Sequence, residues 1–352
     1  MADTKKVVVQ LPGLAKTPDI AKRYELELEY LDHVGVELIE SDTLDEDEFI
    51  EIAKNADAIL TSWGVRINER MIAALEKCVI IGVGSIGTDM IDMEAATAAG
   101  IVVTNTPDIF IEEVADHTMM LLLAQNKLVK TLMDATKEGS WFEMRPVPAA
   151  NTRLWGQTLG LLGFGHVGVA VARRAKPFGL HVIAHDPYVS ELKLTAEHVE
   201  PVSFKELIER SDYLSLHAPE NSGTHHLLGE AEFKAMKNSV RIINTARGSI
   251  IDEKALIKAL EDEEIAGAGL DVTEHEPPDK DNPLRTMPNV VLTPHTSSAS
   301  TRMRRATRGR AAHEIALALS GRWPMSCVNP HVLPRTPLVR WQPYSMESGP
   351  NR

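Results

Sequence analysis

Cysteine is almost missing from this chain: Cys78 and Cys327 are the only two in 352 residues. One pair cannot build a disulfide framework, so a reducing, cytoplasmic setting is expected. Long apolar runs are missing as well. The longest near the middle, Met119 to Ala124, falls far short of the ~20 residues needed to cross a bilayer, and no membrane partner is expected. The N-terminus runs from Lys5-Lys6 straight into Val7-Val8-Val9. That reads as a first strand rather than a charged region ahead of an apolar leader. Positive charge is in deficit, with 37 Lys and Arg against 50 Asp and Glu for a net charge of −13. A nucleic-acid backbone is thereby disfavoured as partner, since phosphates are neutralised by Lys and Arg.

What is present is ordinary globular composition, 43% apolar and 25% charged, at a length that suits two domains, each with its own core. Short apolar runs alternate with helical patterns. Val7–Val9, Val36–Ile39, Ala58–Thr61, Val79–Ile81 and Ile101–Thr104 read as strands in the first part. Thr158–Leu162, His181–His185, Tyr213–Leu216, Arg241–Asn244 and Gly267–Leu270 do so in the second. Nearly continuous apolar strands between helices indicate parallel sheets covered on both faces, here two doubly wound α/β domains. Helical patterns run from Asp19 to His33, Asp45 to Lys54, Glu112 to Lys137 and Ser300 to Leu319. The tail after Pro330 carries Pro334, Pro337, Pro343 and Pro350 without periodicity and reads as extended or partly disordered.

The pattern G-x-G-x-x-G occurs twice, as Gly82-Val-Gly84-Ser-Ile-Gly87 and as Gly163-Phe-Gly165-His-Val-Gly168. Neither match is informative alone. A dinucleotide site needs a preceding strand, glycines that let backbone approach the pyrophosphate, a helix N-terminus facing the phosphates, and a carboxylate after the next strand for the ribose hydroxyls. The second motif meets all four conditions. Its next strand ends at Asp186, 186 − 168 = 18 residues beyond the last glycine. The first motif leads to Thr104-Asn105-Thr106-Pro107, with no carboxylate in place. Gly163, Gly165 and Gly168 are therefore the candidate cofactor loop. Asp186 favours NAD over NADP, because it would repel a 2′-phosphate and Pro187, Tyr188 and Val189 offer no cation.

These and further blocks resemble the D-isomer-specific 2-hydroxyacid dehydrogenase family over residues ~5–325. The blocks include Gly87-Thr-Asp89, Asn105-Thr-Pro107, His217-Ala-Pro219, Asn244-Thr-Ala-Arg247-Gly248, Gly269-Leu-Asp271-Val, Glu276-Pro277 and Pro294-His295. The resemblance implies a Rossmann NAD-binding domain at 106–297, inserted in a flavodoxin-like substrate domain made of 1–105 and 298–352. It implies NAD as cofactor, a small anionic 2-hydroxy or 2-oxo acid as substrate, hinge closure over a cleft, and a homodimer formed through the 112–150 region. By the same resemblance His166 and Val167 present backbone donors to the pyrophosphate. His217, Pro219 and Thr224 lie on the adenosine and phosphate side. Thr245, Ala246 and Asp271 flank the nicotinamide, and Ile86 and Gly87 bind the substrate carboxylate. The chemistry of a 2-oxo acid asks for the same residue types independently. A histidine such as His295 can hand over a proton near neutrality. The resemblance implies that Glu276 bonds to this histidine, a pairing that holds the ring and favours its cation. Arg247 can grip a planar carboxylate with its fork of donors.

Some positions depart from the family pattern. After His295 the chain has Thr296-Ser297-Ser298 where a small pair is common. Ser298 either donates to the substrate or begins the following helix as a cap. Trp63 at a strand end is either a wall limiting substrate size or ordinary packing, and Trp141 reads as packing. Arg302, Arg304, Arg305, Arg308 and Arg310 form either a solvated or subunit-facing helix surface or a patch steering anions. The tail with Trp341 and Tyr344 is a candidate cover for a neighbouring active site. His225-His226 and Glu274-His275-Glu276 lack a complementary set at metal spacing, so no metal is expected. The rival readings are an NAD-sensing corepressor-like interaction protein and a dehydrogenase of another anion such as phosphite.

Overall fold

The computed structural model describes residues 4–10, 19–62, 64–147 and 152–341. The chain divides into two compact units, Met1–Ile109 with Ser300–Arg352, and Phe110–Ala299. The junctions at 109/110 and 299/300 fall a few residues beyond the 105/106 and 297/298 expected from the sequence.

The first unit holds β1 (Lys5–Gln10), β2 (Val36–Glu40), β3 (Ala58–Thr61), β4 (Ile80–Val83) and β5 (Val102–Thr104). They pair in parallel in the order β2-β1-β3-β4-β5. The period-2 alternation of strand side chains feeds two cores. Val7, Val9, Leu60, Ile80 and Val102 pack beneath Ala311, Ile315 and Leu319 of the C-terminal helix Met303–Leu319. Val8, Ile59, Ile81 and Val103 face Phe49, Met71 and Ala96 on the other side. The C-terminal helix closes the first sheet because β4 leaves room for it. A Cβ on Gly82 would lie 2.9 Å from Ile315 Cγ1. The helix is also clamped to Glu25–Leu31 by Arg308, whose Nε and Nη2 each donate to a Glu27 carboxylate oxygen at 2.5 Å.

The second unit holds β6 (Thr158–Leu162), β7 (His181–His185), β8 (Glu200–Pro201), β9 (Tyr213–Leu216), β10 (Arg241–Asn244), β11 (Gly267–Leu270) and β12 (Val290–Leu292). Their order is β12-β11-β10-β9-β6-β7-β8, all parallel. The chain leaves β6 toward β7 and later returns to β9 on β6's other side. That reversal is the switch point where open α/β sheets bind ligands.

Two sequence expectations need correction, and two strands were not foreseen. The pattern Glu112–Lys137 is two helices, Ile111–Asn126 and Val129–Lys137, parted by Leu128 at φ 52°. Buried amides fix the end of the first: Gln125 Nε2 donates to Ala268 O at 2.5 Å and Asn126 Nδ2 to Tyr213 Oη at 2.8 Å. The pattern Asp19–His33 breaks at Tyr24, a buried ring whose hydroxyl donates to Glu40 at 2.8 Å. The strands β8 and β12, two and three residues long, carried too little pattern to be read.

Candidate active site

The dinucleotide loop is built by three glycines with different tasks. Gly163 follows β6 at φ 95°, and a Cβ there would sit 2.7 Å from Ala218 N and His217 C. Both the left-handed backbone and the close approach demand glycine. A Cβ on Gly168 would lie 2.7 Å from Gly163 O, so the helix His166–Ala175 packs tightly on its own loop. Gly165 is the reverse case, since a Cβ there meets no atom within 4 Å. Its open side, with the first-turn N–H groups of His166 and Val167 behind it, is what a pyrophosphate requires. Asp186, just past β7, accepts from Phe164 N at 2.8 Å through Oδ2 and from Tyr188 N at 2.9 Å through Oδ1. A carboxylate oxygen takes two donors, so each keeps an acceptor position for a ribose hydroxyl. The residues fit a dinucleotide.

On the β9 side, His217 N donates to Leu162 O at 2.7 Å and its Nε2 meets Ser215 Oγ at 2.9 Å. Desolvation pushes this imidazole down to about 4, so it is neutral at pH 7. Thr224 Oγ1 donates to Pro219 O at 2.7 Å and accepts from Asn221 N at 2.9 Å, which closes the 219–224 turn.

The turn after β10 carries Arg247. Buried Asn244 organises it, accepting from Ala246 N at 3.0 Å and donating to Arg247 O at 2.9 Å. Arg247 Nη1 donates back to Ala246 O at 2.7 Å. Next comes Gly248, where a Cβ would fall 2.0 Å from Thr273 C and O. The Arg247 turn therefore lies directly on the 273–276 turn. There Thr273 N donates to Glu276 Oε1 at 3.2 Å. The other oxygen, Oε2, lies 2.6 Å from His295 Nδ1. The pair is half-buried, with side chains 26% and 34% exposed for histidine and glutamate. With Nδ1 engaged by the carboxylate, Nε2 is the ring position suited to proton exchange. Arg247, Glu276 and His295 thus belong to one set of adjoining turns.

Asp271 organises the turn that carries His295. Its side chain is buried, and Oδ1 accepts from Thr293 Oγ1 at 2.6 Å and Thr296 N at 2.9 Å. Oδ2 accepts from Ser297 N at 2.8 Å, while His295 N donates to Asp271 O at 2.8 Å. The loop bearing His295, itself at φ 51°, is wrapped around this one residue. Thr245 is buried and meets Thr118 Oγ1 at 2.9 Å.

The remaining candidates sort as follows. In the first unit, Asn105 Nδ2 donates to Ile86 O and Ser85 Oγ to Gly87 O, both at 2.7 Å, which pins the 84–87 turn. Ser298 lies in a turn and does not cap the helix, because Ser300 Oγ accepts from Met303 N at 3.0 Å. Trp63 and Tyr344 lie outside the described residues. Trp141 is 63% exposed rather than packed. Three of the five arginines pair within their own unit, Arg305 with Glu29, Arg308 with Glu27, and Arg310 with Glu314 and Asp108. The tail through Trp341 folds back on its own unit: Trp341 Nε1 donates to Trp323 O at 3.0 Å and Arg335 Nε to Ala99 O at 2.6 Å. The two His/acid clusters do meet, since His226 Nε2 lies 3.0 Å from Glu274 Oε1. Among the described residues no group of three or more His, Cys, Asp or Glu could hold a metal.

A doubly wound unit with this glycine loop, a carboxylate just past the next strand and a His–Glu pair has the parts of a nicotinamide-linked dehydrogenase. The family model described as D-isomer specific 2-hydroxyacid dehydrogenase, NAD binding domain, matches residues 119–297. The chain is 38% identical over 285 residues to the glyoxylate reductase of Korarchaeum cryptofilum, covering 81% of this chain and 86% of that protein. It is 37% identical over 324 residues to the D-3-phosphoglycerate dehydrogenase of Methanocaldococcus jannaschii, covering 92% of this chain but only 61% of that one. The crystal structure of a glyoxylate reductase from Paecilomyes thermophila superposes with a TM-score of 0.81 at 30% identity, covering 92% of this chain and 98% of that one. The chain belongs to the D-isomer specific 2-hydroxyacid dehydrogenase family, and NAD is its cofactor.

Proposed function

We propose that this protein interconverts a small 2-oxo acid and its D-2-hydroxy acid, with His295 as acid/base, Glu276 as its partner and Arg247 as the carboxylate anchor. The observation that carries this reading is the 2.6 Å contact between His295 Nδ1 and Glu276 Oε2, in the same unit as the dinucleotide loop. NADH supplies the hydride when bound. The chain's own part is to hold the 2-oxo acid and to deliver a proton. Arg247 grips the carboxylate through paired donors, which fixes the carbonyl in one orientation. Imidazolium His295 gives its Nε2 proton to the oxygen that becomes the hydroxyl, and Glu276 opposes the positive charge on the ring. In the oxidative direction neutral His295 takes that proton back. Asp186 favours NAD over NADP, because its carboxylate already organises the loop at Phe164 and would oppose a 2′-phosphate. For Ile86, Gly87 and Ser298 as substrate contacts, the support is the family resemblance and, for the first two, the pinned 84–87 turn.

We also propose a homodimer formed through the 112–150 region. Met120, Val129, Met133, Trp141 and Phe142 are exposed there, and Met119, Met120, Leu123, Val129 and Phe178 line an apolar hollow of about 590 Å³. An apolar patch of this kind marks an association surface, and sedimentation of the purified protein tests it.

The deciding experiment is NADH oxidation against a panel of 2-oxo acids including glyoxylate, hydroxypyruvate, its 3-phosphate, oxaloacetate and aromatic members. NADPH and the reverse reactions run alongside. Saturable turnover with one member is expected. Tight NADH binding with no turnover on any member would defeat the reading.

A further inference from the structure

Two neighbouring side chains on the helix Ile111–Asn126 reach the two turns that carry the proposed chemistry. His117 Nε2 lies 2.9 Å from Thr293 Oγ1. Thr118 Oγ1 lies 2.9 Å from Thr245 Oγ1. Thr293 stands two residues ahead of His295, and Thr245 two residues ahead of Arg247.

The proton positions follow from counting donors. Thr293 has one hydroxyl proton. Its nearest acceptor is the Asp271 carboxylate at 2.6 Å, and Leu270 O is distant at 3.4 Å. The short, charge-assisted contact takes the proton. Toward His117 the hydroxyl is then an acceptor, so His117 Nε2 carries a hydrogen and lies 3.5 Å from Asp271 Oδ1 besides. Likewise Thr118 gives its single proton to Val114 O at 2.8 Å. Thr245 must therefore donate to Thr118. Both arrangements are buried or nearly so, where each hydrogen bond has one geometry and misdirection is costly.

We propose that His117 and Thr118 are positioning residues: His117 acts through Thr293 and Asp271 on the His295 loop, and Thr118 acts through Thr245 on the Arg247 turn. Neither needs to touch substrate. The donor from His117 aligns the Thr293 hydroxyl on Asp271. That carboxylate in turn holds Thr296 N and Ser297 N on the far side of His295. His295 sits at φ 51°, a backbone state that a non-glycine residue keeps only when its surroundings enforce it. The helix thus registers the proton-donating turn and the carboxylate-gripping turn against each other. This inference rests on the proposed roles of His295 and Arg247.

The two arms predict opposite kinetic signatures. His117→Leu, and Thr293→Val which keeps the shape, should lower kcat about tenfold, the scale of one hydrogen bond misplaced in a transition state. KM for the 2-oxo acid and the NADH Kd should stay within about twofold. His117→Gln, which retains a donor, should recover much of the loss. Thr118→Val should instead raise KM about tenfold with kcat little changed. The double variant His117→Leu/Thr293→Val should be no worse than the poorer single one, because both break one chain. Parallel losses in kcat, KM and melting temperature across all variants would make the two residues merely structural and overturn the proposal. Ring resonances of His295 in ¹⁵N-histidine spectra and the Arg247 Nε resonance in ¹⁵N-arginine spectra give a readout free of turnover. His117→Leu should move the former and Thr118→Val the latter. If neither resonance moves, the inference fails whatever the activity. If both move while no 2-oxo acid is turned over, the positioning stands and the functional reading fails.

Discussion

Gly248 offers the sharpest test of how the proposed catalytic set is assembled. An alanine Cβ at this position would stand 2.0 Å from both Thr273 C and Thr273 O and 2.5 Å from Glu274 N. Ordinary contact begins near 3.4 Å, so the two turns must part by about 1.4 Å, the difference between 3.4 and 2.0. The obstacles are backbone atoms with no flexible end to swing aside. Overpacking of this kind costs ~1–3 kcal/mol. The larger effect falls on chemistry, because Thr273 N holds Glu276 Oε1 at 3.2 Å and Glu276 holds His295 at 2.6 Å. A shift of about 1 Å in such a set costs on the order of 100-fold in rate. Gly248→Ala should therefore lose ~100-fold in kcat/KM for the 2-oxo acid, while NADH binding, followed by fluorescence, changes far less. Gly229→Ala is the control, since its Cβ would meet Glu232 Oε2 at an ordinary 3.6 Å. A Gly248→Ala enzyme with kcat/KM within twofold of the parent would refute the packing argument.

Asp186→Ala should weaken NAD binding and narrow its preference over NADP; an unchanged ratio of the two dissociation constants would remove Asp186 from the ribose site. His295→Asn should keep NADH affinity and abolish turnover, and residual turnover near the parent level would require another proton donor. His217 titrates near 6.5 when unfolded and at about 4 when folded, so the unfolded chain binds the extra proton between those values. Stability should fall as pH drops from ~6.5 to ~4, by up to ~3 kcal/mol at 1.36 kcal/mol per unit. Denaturant titrations of His217→Asn should show a shallower acid slope, and an identical slope would sink the argument. Glu27 is fully buried against Arg308, so Glu27→Gln leaves the guanidinium charge unopposed and should cost ~3 kcal/mol, the lower end of the range for such losses because the amide oxygen can still accept one donor and Arg23 O accepts from Arg308 at 2.7 Å. An unfolding free energy lowered by less than 1 kcal/mol would show that the ~3 kcal/mol estimate overrates this pair.

Strands with continuous apolar runs, such as Ala58–Thr61 and Tyr213–Leu216, were legible because burial on both faces leaves a local mark in composition. Residues whose role comes from distant contacts were not. Leu128 breaks its helix in a left-handed conformation that glycine or asparagine usually signals. Nothing local marks Tyr24 as a break, since its partner Glu40 is in another element. Asp271 sits in a family block, yet the three donors that surround its carboxylate come from a loop more than twenty residues later. The link from Glu274 to His226 spans 48 residues, and neither half alone carries a complementary set at metal spacing. The His295–Glu276 pair, nineteen residues apart, was legible through the family resemblance, with the need for a proton donor pointing to the histidine alone.

The two copies of G-x-G-x-x-G show why a motif has to be read together with its register on the fold. In the first copy Gly82 is still inside β4, and its missing side chain makes room for Ile315 of the C-terminal helix. The next helix, Met93–Ala98, starts well downstream behind its own Asp92 cap. In the second copy Gly163 stands one residue past β6, and the helix begins at once with His166. Shifting the same six letters along the strand thus exchanges a packing contact for an anion-facing helix start. Substituting the glycines should separate the two uses. Gly82→Ala acts against a core side chain and belongs with stability, whereas a side chain at Gly165 would fill open space where only a ligand could object. The chemistry of a glycine is set by what the missing Cβ would have touched, which is Ile315 at Gly82 and no atom within 4 Å at Gly165.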